Sequence, residues 1–372
     1  MNSAEALDPQ AGHARMAWRG GRELASTNRP AWASLARKAM LTLVAAATLL
    51  GAGAARAQTL ETVRERGYLI CATTDALSGF AQMSPEGQWS GFDYDFCRAV
   101  ATAVFGDPEK LRFYALSGAA RFALLANGAI DVMARNGVWT MRRDTAYGAA
   151  YVGTSFFDGQ SFLVPQSLGV VSAYELDGVS VCVVDGGEEI AKLREFFFSN
   201  QAAYREVRYE DREDLSVAYR SGLCDAVSAP ASWLHAIRRG LPEPATHRIL
   251  PERIAKGAFG PVVREGDAQW FDIVKWTLYG LIDAEEAGVT SLNIDSLSAA
   301  KTQSIRRLLG LEGDFGPSMG LERTFIANVI RAVGNYGEIF ERSFGASTGA
   351  AVLRGQNALW TNGGQLYAPP VR

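Results

Sequence analysis

The chain has 372 residues, with 37 Lys+Arg against 40 Asp+Glu, only three His, and a formal net charge of −3. That balance excludes the basic footprint of a dedicated nucleic-acid binder. Apolar residues at 48% with 21% charged exclude a disordered or fibrous chain. No CxxC or HExxH spacing offers a zinc site, and there is no GxxxxGK[ST], no GxGxxG after a strand and no GxSxG elbow. No metal or cofactor is expected.

Taken in chain order, the first element is a targeting segment. Arg37-Lys38 precedes an uncharged run from Ala39 to Ala55 that ends Ala55-Arg56-Ala57-Gln58. The run is shorter than the ~20 residues a spanning helix needs. A positive start, a short apolar stretch and an A-x-A ending predict a signal peptide over 1–57, cut after Ala57. The leader is long, and Met16 is an alternative start; a retained membrane anchor is the other reading. Without 57 residues, 315 of the 372 remain, enough for two domains.

The mature sequence reads as an α/β chain. Leu69–Thr73 is an expected strand, Tyr94–Phe105 a helix, Arg112–Ala115 a strand, Ala119–Ala126 a helix and Gln160–Val164 a strand leaving the first unit. Residues 188–200, 214–221 and 232–239 read as helices, with strands at 207–209 and 226–227. Leu250 to Val262 is punctuated by Gly and Pro and reads as a return crossing. From Asp267 the apolar residues Trp270, Phe271, Val274, Leu278, Leu281 and Ile282 recur at helical spacing. The tail after Gly345 is Gly-rich and carries little pattern.

Two halves repeat. Gly67 to Cys71 and Gly178 to Cys182 each read as a turn into a buried strand, and Gly128/Asp131 recur as Gly222/Asp225, each displaced by 94. Glycine at the position just past a helix is the expected device, because only glycine enters the left-handed region without penalty. Four Cys allow three pairings. In an oxidising compartment, a strand-end Cys opening each half favours Cys71–Cys97 and Cys182–Cys224 over four buried thiols. With loops of 26 and 42 residues, each bridge is worth roughly 3–4 kcal/mol in the chain-entropy description.

Gly91-Phe92-Asp93-Tyr94-Asp95-Phe96, with Val100-Ala101 following, resembles the signature of family 3 periplasmic solute-binding proteins, the polar amino-acid receptors of ABC importers. Thr140-Met141-Arg142-Arg143 resembles that family's T-x-x-R element. Gly260 to Arg264, Gly334-Asn335-Tyr336-Gly337-Glu338 and Tyr367-Ala368-Pro369-Pro370 look like the general L-amino-acid-binding subfamily. The resemblance spans about Thr59 to Arg372. It implies a type II periplasmic-binding-protein fold: two α/β lobes, joined by two hinge strands, closing on a small-molecule ligand. Lobe 1 would be 58–162 plus 263–372, and lobe 2 163–262. An inner-membrane ABC permease is the implied partner, and no nucleic acid is.

The resemblance also implies site residues. Arg143 would fork a ligand carboxylate with two parallel hydrogen bonds, while Arg142 next door would pair with Asp144 at the surface. Phe80 would form an aromatic wall, with core packing its other reading. Asp75 follows the first strand, at the strand end where ligands of open α/β sheets gather. Asn136, Val138 and Thr140 belong to Asn136-Gly137-Val138-Trp139-Thr140, where relatives carry N-T-T-W-T. Gly187 and Glu188 stand in Asp185-Gly186-Gly187-Glu188-Glu189, where relatives carry a hydroxyl-rich run. Pro230 replaces the acid that takes the ligand's α-ammonium. With Asp185, Glu188 and Glu189 at a helix start, the expected ligand is an N-substituted or cationic amino-acid derivative rather than a standard amino acid, and an acidic one is disfavoured. A periplasmic dehydratase using Glu188 or Glu189 as general acid, and a sensory receptor, are the alternative functions.

Overall fold

A computed structural model describes residues 59–73, 77–116, 120–134, 137–186, 188–348 and 352–372. The leader expected over 1–57 lies outside them. No helix among the described residues is long and apolar enough to cross a membrane.

The chain builds two α/β layers. The first begins with α1 (Thr59–Arg66), β1 (Leu69–Thr73), a short hairpin of β2 (Gln82–Met83) and β3 (Trp89–Ser90), and α2 (Phe92–Phe105). It continues with β4 (Leu111–Ala115), α3 (Ala120–Ala126), β5 (Val132–Met133), α4 (Met141–Thr145) and β6 (Ala149–Tyr151). The second layer holds β7 (Phe156–Pro165), β8 (Val179–Val184), α5 (Glu188–Ser199), β9 (Tyr204–Tyr209), α6 (Arg212–Arg220), β10 (Ala226–Pro230), α7 (Ala231–Arg239), β11 (His247–Ile249) and β12 (Ala255–Phe259). The chain then returns through β13 (Val262–Arg264) to α8 (Ala268–Glu286) and a run of shorter helices, among them α9 (Gln303–Leu308), α10 (Phe315–Ser318), α11 (Phe325–Val333) and α12 (Tyr336–Phe344).

The first sheet has the order β4-β1-β5-β13-β6, and the second β11-β7-β10-β8-β9, with β12 also paired to β7. β1 is parallel to β4 and β5, and β8 is parallel to β9 and β10. Each half therefore carries the parallel, helix-connected core that its repeated turn-strand pattern predicts. Gly67, Gly128, Gly178 and Gly222 all have φ between +69° and +81°. The repeated acids brace equivalent strands: Asp131 accepts the Ile70 N–H at 2.7 Å, and Asp225 accepts that of Ser180 at 2.8 Å. Both disulfides are those expected, Cys71–Cys97 and Cys182–Cys224, with Cα atoms 6.1 and 5.8 Å apart.

Two segments carry the chain between the sheets and run antiparallel side by side. The Val152 N–H donates to the Pro261 carbonyl at 3.0 Å, and the Ser155 N–H to that of Phe259 at 2.8 Å. A Cβ at Gly260 would overlap the carbonyl oxygen of Gly153, so this close approach requires glycine. The first crossing falls between Tyr151 and Phe156, upstream of the expected 162/163 boundary. The reason is that β7 already pairs from Phe156 with β12, and from Gln160 with β10, inside the second sheet. The second crossing, between Phe259 and Val262, lies beside the expected 262/263.

The core under the crossings is aromatic. Phe80, Phe92, Phe156, Phe259 and Phe344 form edge-to-face, tilted and stacked pairs with centroids 4.9–6.3 Å apart. The helix α12 and the tail beyond it close this core. The Tyr336 hydroxyl donates to the Ser155 carbonyl at 2.9 Å, and the Asn357 amide both accepts from the Phe157 N–H (2.6 Å) and donates to its carbonyl (2.9 Å).

Candidate functional site

A cleft of about 830 Å³ opens between the two layers. From the first, Gly137, Val138 and Thr140 reach it on the segment leading into α4, Arg142 and Arg143 from α4 itself, and Arg121 from the start of α3. From the second come Gln160 within β7, Gly186 in the turn after β8, Glu189 in the first turn of α5 and Pro230 at the end of β10. Strand ends are where open α/β sheets present ligand groups.

The α4 segment is held on both sides. Val138 bridges to Phe259, and the Trp139 N–H donates to the Ala258 carbonyl at 2.7 Å. The Trp139 ring stacks on Tyr151 at 5.2 Å and 7°. Thr140 is the N-cap of α4, its hydroxyl accepting the Arg143 N–H at 3.3 Å. The Arg143 guanidinium donates to the Val138 carbonyl at 2.7 Å. One edge of the fork is thus tethered, which fixes the position of its remaining donors. Arg142, beside it, is exposed. Asp144 accepts the Tyr151 N–H at 3.3 Å.

The structure therefore brings Arg143, Val138 and Thr140 together at one cleft with Gly137 and Pro230, the positions where the sequence departs from its relatives. Asp75, Asn136 and Gly187 lie outside the described residues, and Glu188 opens α5 with its side chain likewise outside them. Phe80 is corrected from wall to core. It is 1% exposed, packed against Phe156, Phe259 and Phe344, and its carbonyl accepts the Asp93 N–H at the start of α2. Gly91, at φ +123°, lets that turn pass against the Phe80 backbone. The aromatic residues that do line the cleft are Phe122, Tyr147 and Phe259, the last of them packed on Phe80.

In the second layer, Gln160 ties the cleft floor together by donating to the Glu189 carbonyl (2.9 Å) and the Ser228 hydroxyl (3.0 Å). Pro230 precedes α7 and supplies no side-chain cap. Asp158 does so from β7 instead: its buried carboxylate accepts the Ser232 N–H and hydroxyl, and the Gly159 N–H. Burial nonetheless raises its pKa above the ordinary aspartate range. It is not a cleft-lining residue and does not replace the missing acid.

Among the described residues lining the cleft, cations outnumber acids. Asp185 turns away to an exposed ion pair with Arg208 at 3.7 Å, leaving Glu189 as the carboxylate among the described lining residues. Against it stand Arg121, Arg142, Arg143, Lys192, Arg212 and Lys256. Burial, and then the neighbouring charge of Arg143, lower the Arg121 pKa. Sequence reasoning missed Arg121, Lys192, Arg212 and Lys256. They are scattered over more than a hundred residues with no shared motif, and only the fold converges them.

Residues 69–288 match the sequence profile of the bacterial extracellular solute-binding proteins, family 3, and the chain belongs to that family. It is 46% identical over 330 residues to the general L-amino acid-binding periplasmic protein AapJ of Rhizobium johnstonii, covering 88% of this chain and 97% of that one. It is 47% identical over 331 residues to the glutamate/glutamine/aspartate/asparagine-binding protein BztA of Rhodobacter capsulatus, with the same coverage. Among solved structures, a periplasmic binding protein of an ABC transporter from Brucella ovis, with glutathione bound, is similar at a TM-score of 0.80 and 42% identity. That match covers 84% of this chain and 99% of the other.

Proposed function

We propose that the protein is the periplasmic substrate-binding subunit of an ABC importer, closing two lobes around an amino acid, an amino-acid derivative or a short peptide and delivering it to an inner-membrane permease. The observation that carries this reading is the cleft itself. A tethered arginine fork, Arg143, faces it from one layer, Gln160, Glu189 and Pro230 face it from the other, and two adjacent crossing segments join the layers. Such geometry suits capture by hinge closure. The relatives named above are binding proteins, and we read this chain as a receptor and not an enzyme. Export is read from the leader ending at Ala57.

Thermal-shift screening of the purified protein against amino acids, short peptides and their N-acyl derivatives tests the receptor reading. A ligand at 100 times its Kd stabilises by about 2.7 kcal/mol. Turnover of a cyclohexadienyl acid by the protein would overturn the non-enzymatic part. Mass spectrometry of the protein recovered from the periplasm is expected to show Gln58 at its N-terminus; a retained leader would overturn the processing assignment.

A further inference from the structure

The joint between the layers has a tie besides the two crossings. The Asn357 side chain, 4% exposed, accepts the Phe157 N–H at 2.6 Å and donates its amide to the Phe157 carbonyl at 2.9 Å. Phe157 belongs to β7, in the second sheet. Asn357 is anchored on the first layer's side. Arg354 donates to the Asn357 carbonyl (2.9 Å) and to both carboxylate oxygens of Glu285 on α8 (2.9 and 3.0 Å), and lies over the Tyr336 and Phe340 rings of α12. Both helices pack with α2. Taking the two layers as the lobes of the proposed receptor, we propose that Asn357 is a positioning residue of the hinge. With Arg354 and Tyr336 it braces the crossings, so that the tail governs how freely the lobes swing and how tightly the cleft holds its ligand. The brace lies beyond the residues matched by the family profile, 69–288.

Strand register connects the brace to the ligand side. Phe157 stands opposite Ala258 in the antiparallel β7–β12 pair. In such a ladder every second pair exchanges no hydrogen bonds and turns its backbone groups to the outer edges. Ala258 gives its carbonyl to the Trp139 N–H at 2.7 Å, on the segment that leads to Arg143. Phe157 gives both of its groups to Asn357. The amide therefore pairs with β7 as a strand would, for one residue only, on the edge that β10 takes up from Gln160. Four segments thus cross the joint in a row: Trp139, β12, β7 and the Asn357 amide. One end of the row carries the cleft's arginine fork, and the other is fixed to α8 through Arg354. Tyr336 adds a second point, its hydroxyl donating to the Ser155 carbonyl at 2.9 Å within the first crossing. Held at both points, the ligand-free joint samples fewer lobe orientations, and such preorganisation strengthens binding. Without the brace, closure must order the joint as well as the ligand.

Hydrogen exchange on the ligand-free protein tests the brace directly. In Asn357→Ala, backbone amides of both crossings, 152–157 and 257–262, are expected to exchange roughly tenfold faster than in wild type. Arg354→Gln should act in the same direction, and so should Tyr336→Phe, which removes one hydroxyl, keeps the ring and serves in place of Asn357→Ala if that variant does not fold. Acceleration confined to 352–372 would overturn the inference and leave the receptor reading standing. Calorimetry with L-glutamate, L-glutamine and glutathione then separates positioning from plain stability. Asn357→Ala is expected to bind whichever probe wild type takes at least about fivefold more weakly. Val63→Ala, which empties a fully buried site on α1, should lower the melting temperature and leave that affinity unchanged. Wild-type affinity in Asn357→Ala, or an equal loss in both variants, would also overturn the inference. Silence of wild type toward the three probes and the full screening panel would overturn the receptor reading, and the exchange result would still decide whether the tail braces the joint.

Discussion

Arg142 and Arg143 are adjacent in sequence and both reach the cleft, yet their situations differ. Arg143 is half-buried and tethered to the Val138 carbonyl, so its remaining donors are already oriented; Arg142 is exposed and must order its whole side chain on binding. Arg143→Ala is therefore expected to cost at least about 2–3 kcal/mol of ligand binding, the order of a lost charge-assisted pair, and Arg142→Ala much less. Equal losses by calorimetry would show the assignment to be wrong. Far from the cleft, Asp283 on α8 is largely buried beside Glu286 and accepts the Val371 N–H; burial and then the Glu286 charge push its pKa up to about 7. The folded state thus holds this proton more tightly than the unfolded chain. Its contribution to stability declines as pH rises from about 4 through about 7 and is level above that. Asp283→Asn keeps an acceptor for Val371 and removes the charge, so the variant should melt higher than wild type at pH 8, with the difference vanishing near pH 4. A variant melting no higher at pH 8 would contradict the assignment. Residue identity alone could not separate these roles. The Thr140-to-Arg143 element was legible because cap and fork are four consecutive residues, whereas a phenylalanine after a strand, such as Phe80, reads the same as wall or core.

Among the elements, those with a strong local signature were legible: β1 is found at the residues expected, and the helices at 188–199, 212–220 and 231–239 lie within two residues of expectation. Periodicity and left-handed glycines fix such elements locally. The strand β7 was not legible in full, because its first residues act both as the end of a crossing and as a sheet strand, and no sequence period distinguishes those duties. β12 was likewise hidden in a Gly- and Pro-punctuated stretch, since its pairing to β7 is decided by the fold. The paired crossings carry their own prediction. Gly260→Ala places a methyl against the Gly153 carbonyl, so the two segments must separate or twist. The expected loss is about 1–3 kcal/mol, the usual range for forced overpacking, measured by urea denaturation. Unchanged stability with unchanged ligand affinity would show that the crossings are looser than their hydrogen bonds indicate.

For the molecule as a whole, each half carries its own bridge, closing loops of 26 and 42 residues. Replacing both cysteines of either pair with alanine should cost about 2–4 kcal/mol, read as a lower denaturant midpoint under oxidising conditions. Reductant should lower the wild-type midpoint and leave a variant lacking both bridges unmoved. The pairing was legible because the halves repeat; the ring of cations was not, because charges from Arg121 to Lys256 meet only when both halves are complete. The hydrogen bonds made by α12 and the tail have a further consequence, for the order in which the chain assembles. Asn357 grips Phe157 across 200 residues, and Tyr336 grips Ser155 across 181. Loop closure over such distances is slow compared with the local α/β contacts of each half. The second layer, contained in 156–259, can therefore collapse early, while the first waits for β13 and the helices that follow it. A chain clipped before Asn357 would leave Phe157 without this partner, a state in which a protease could distinguish finished from unfinished receptor.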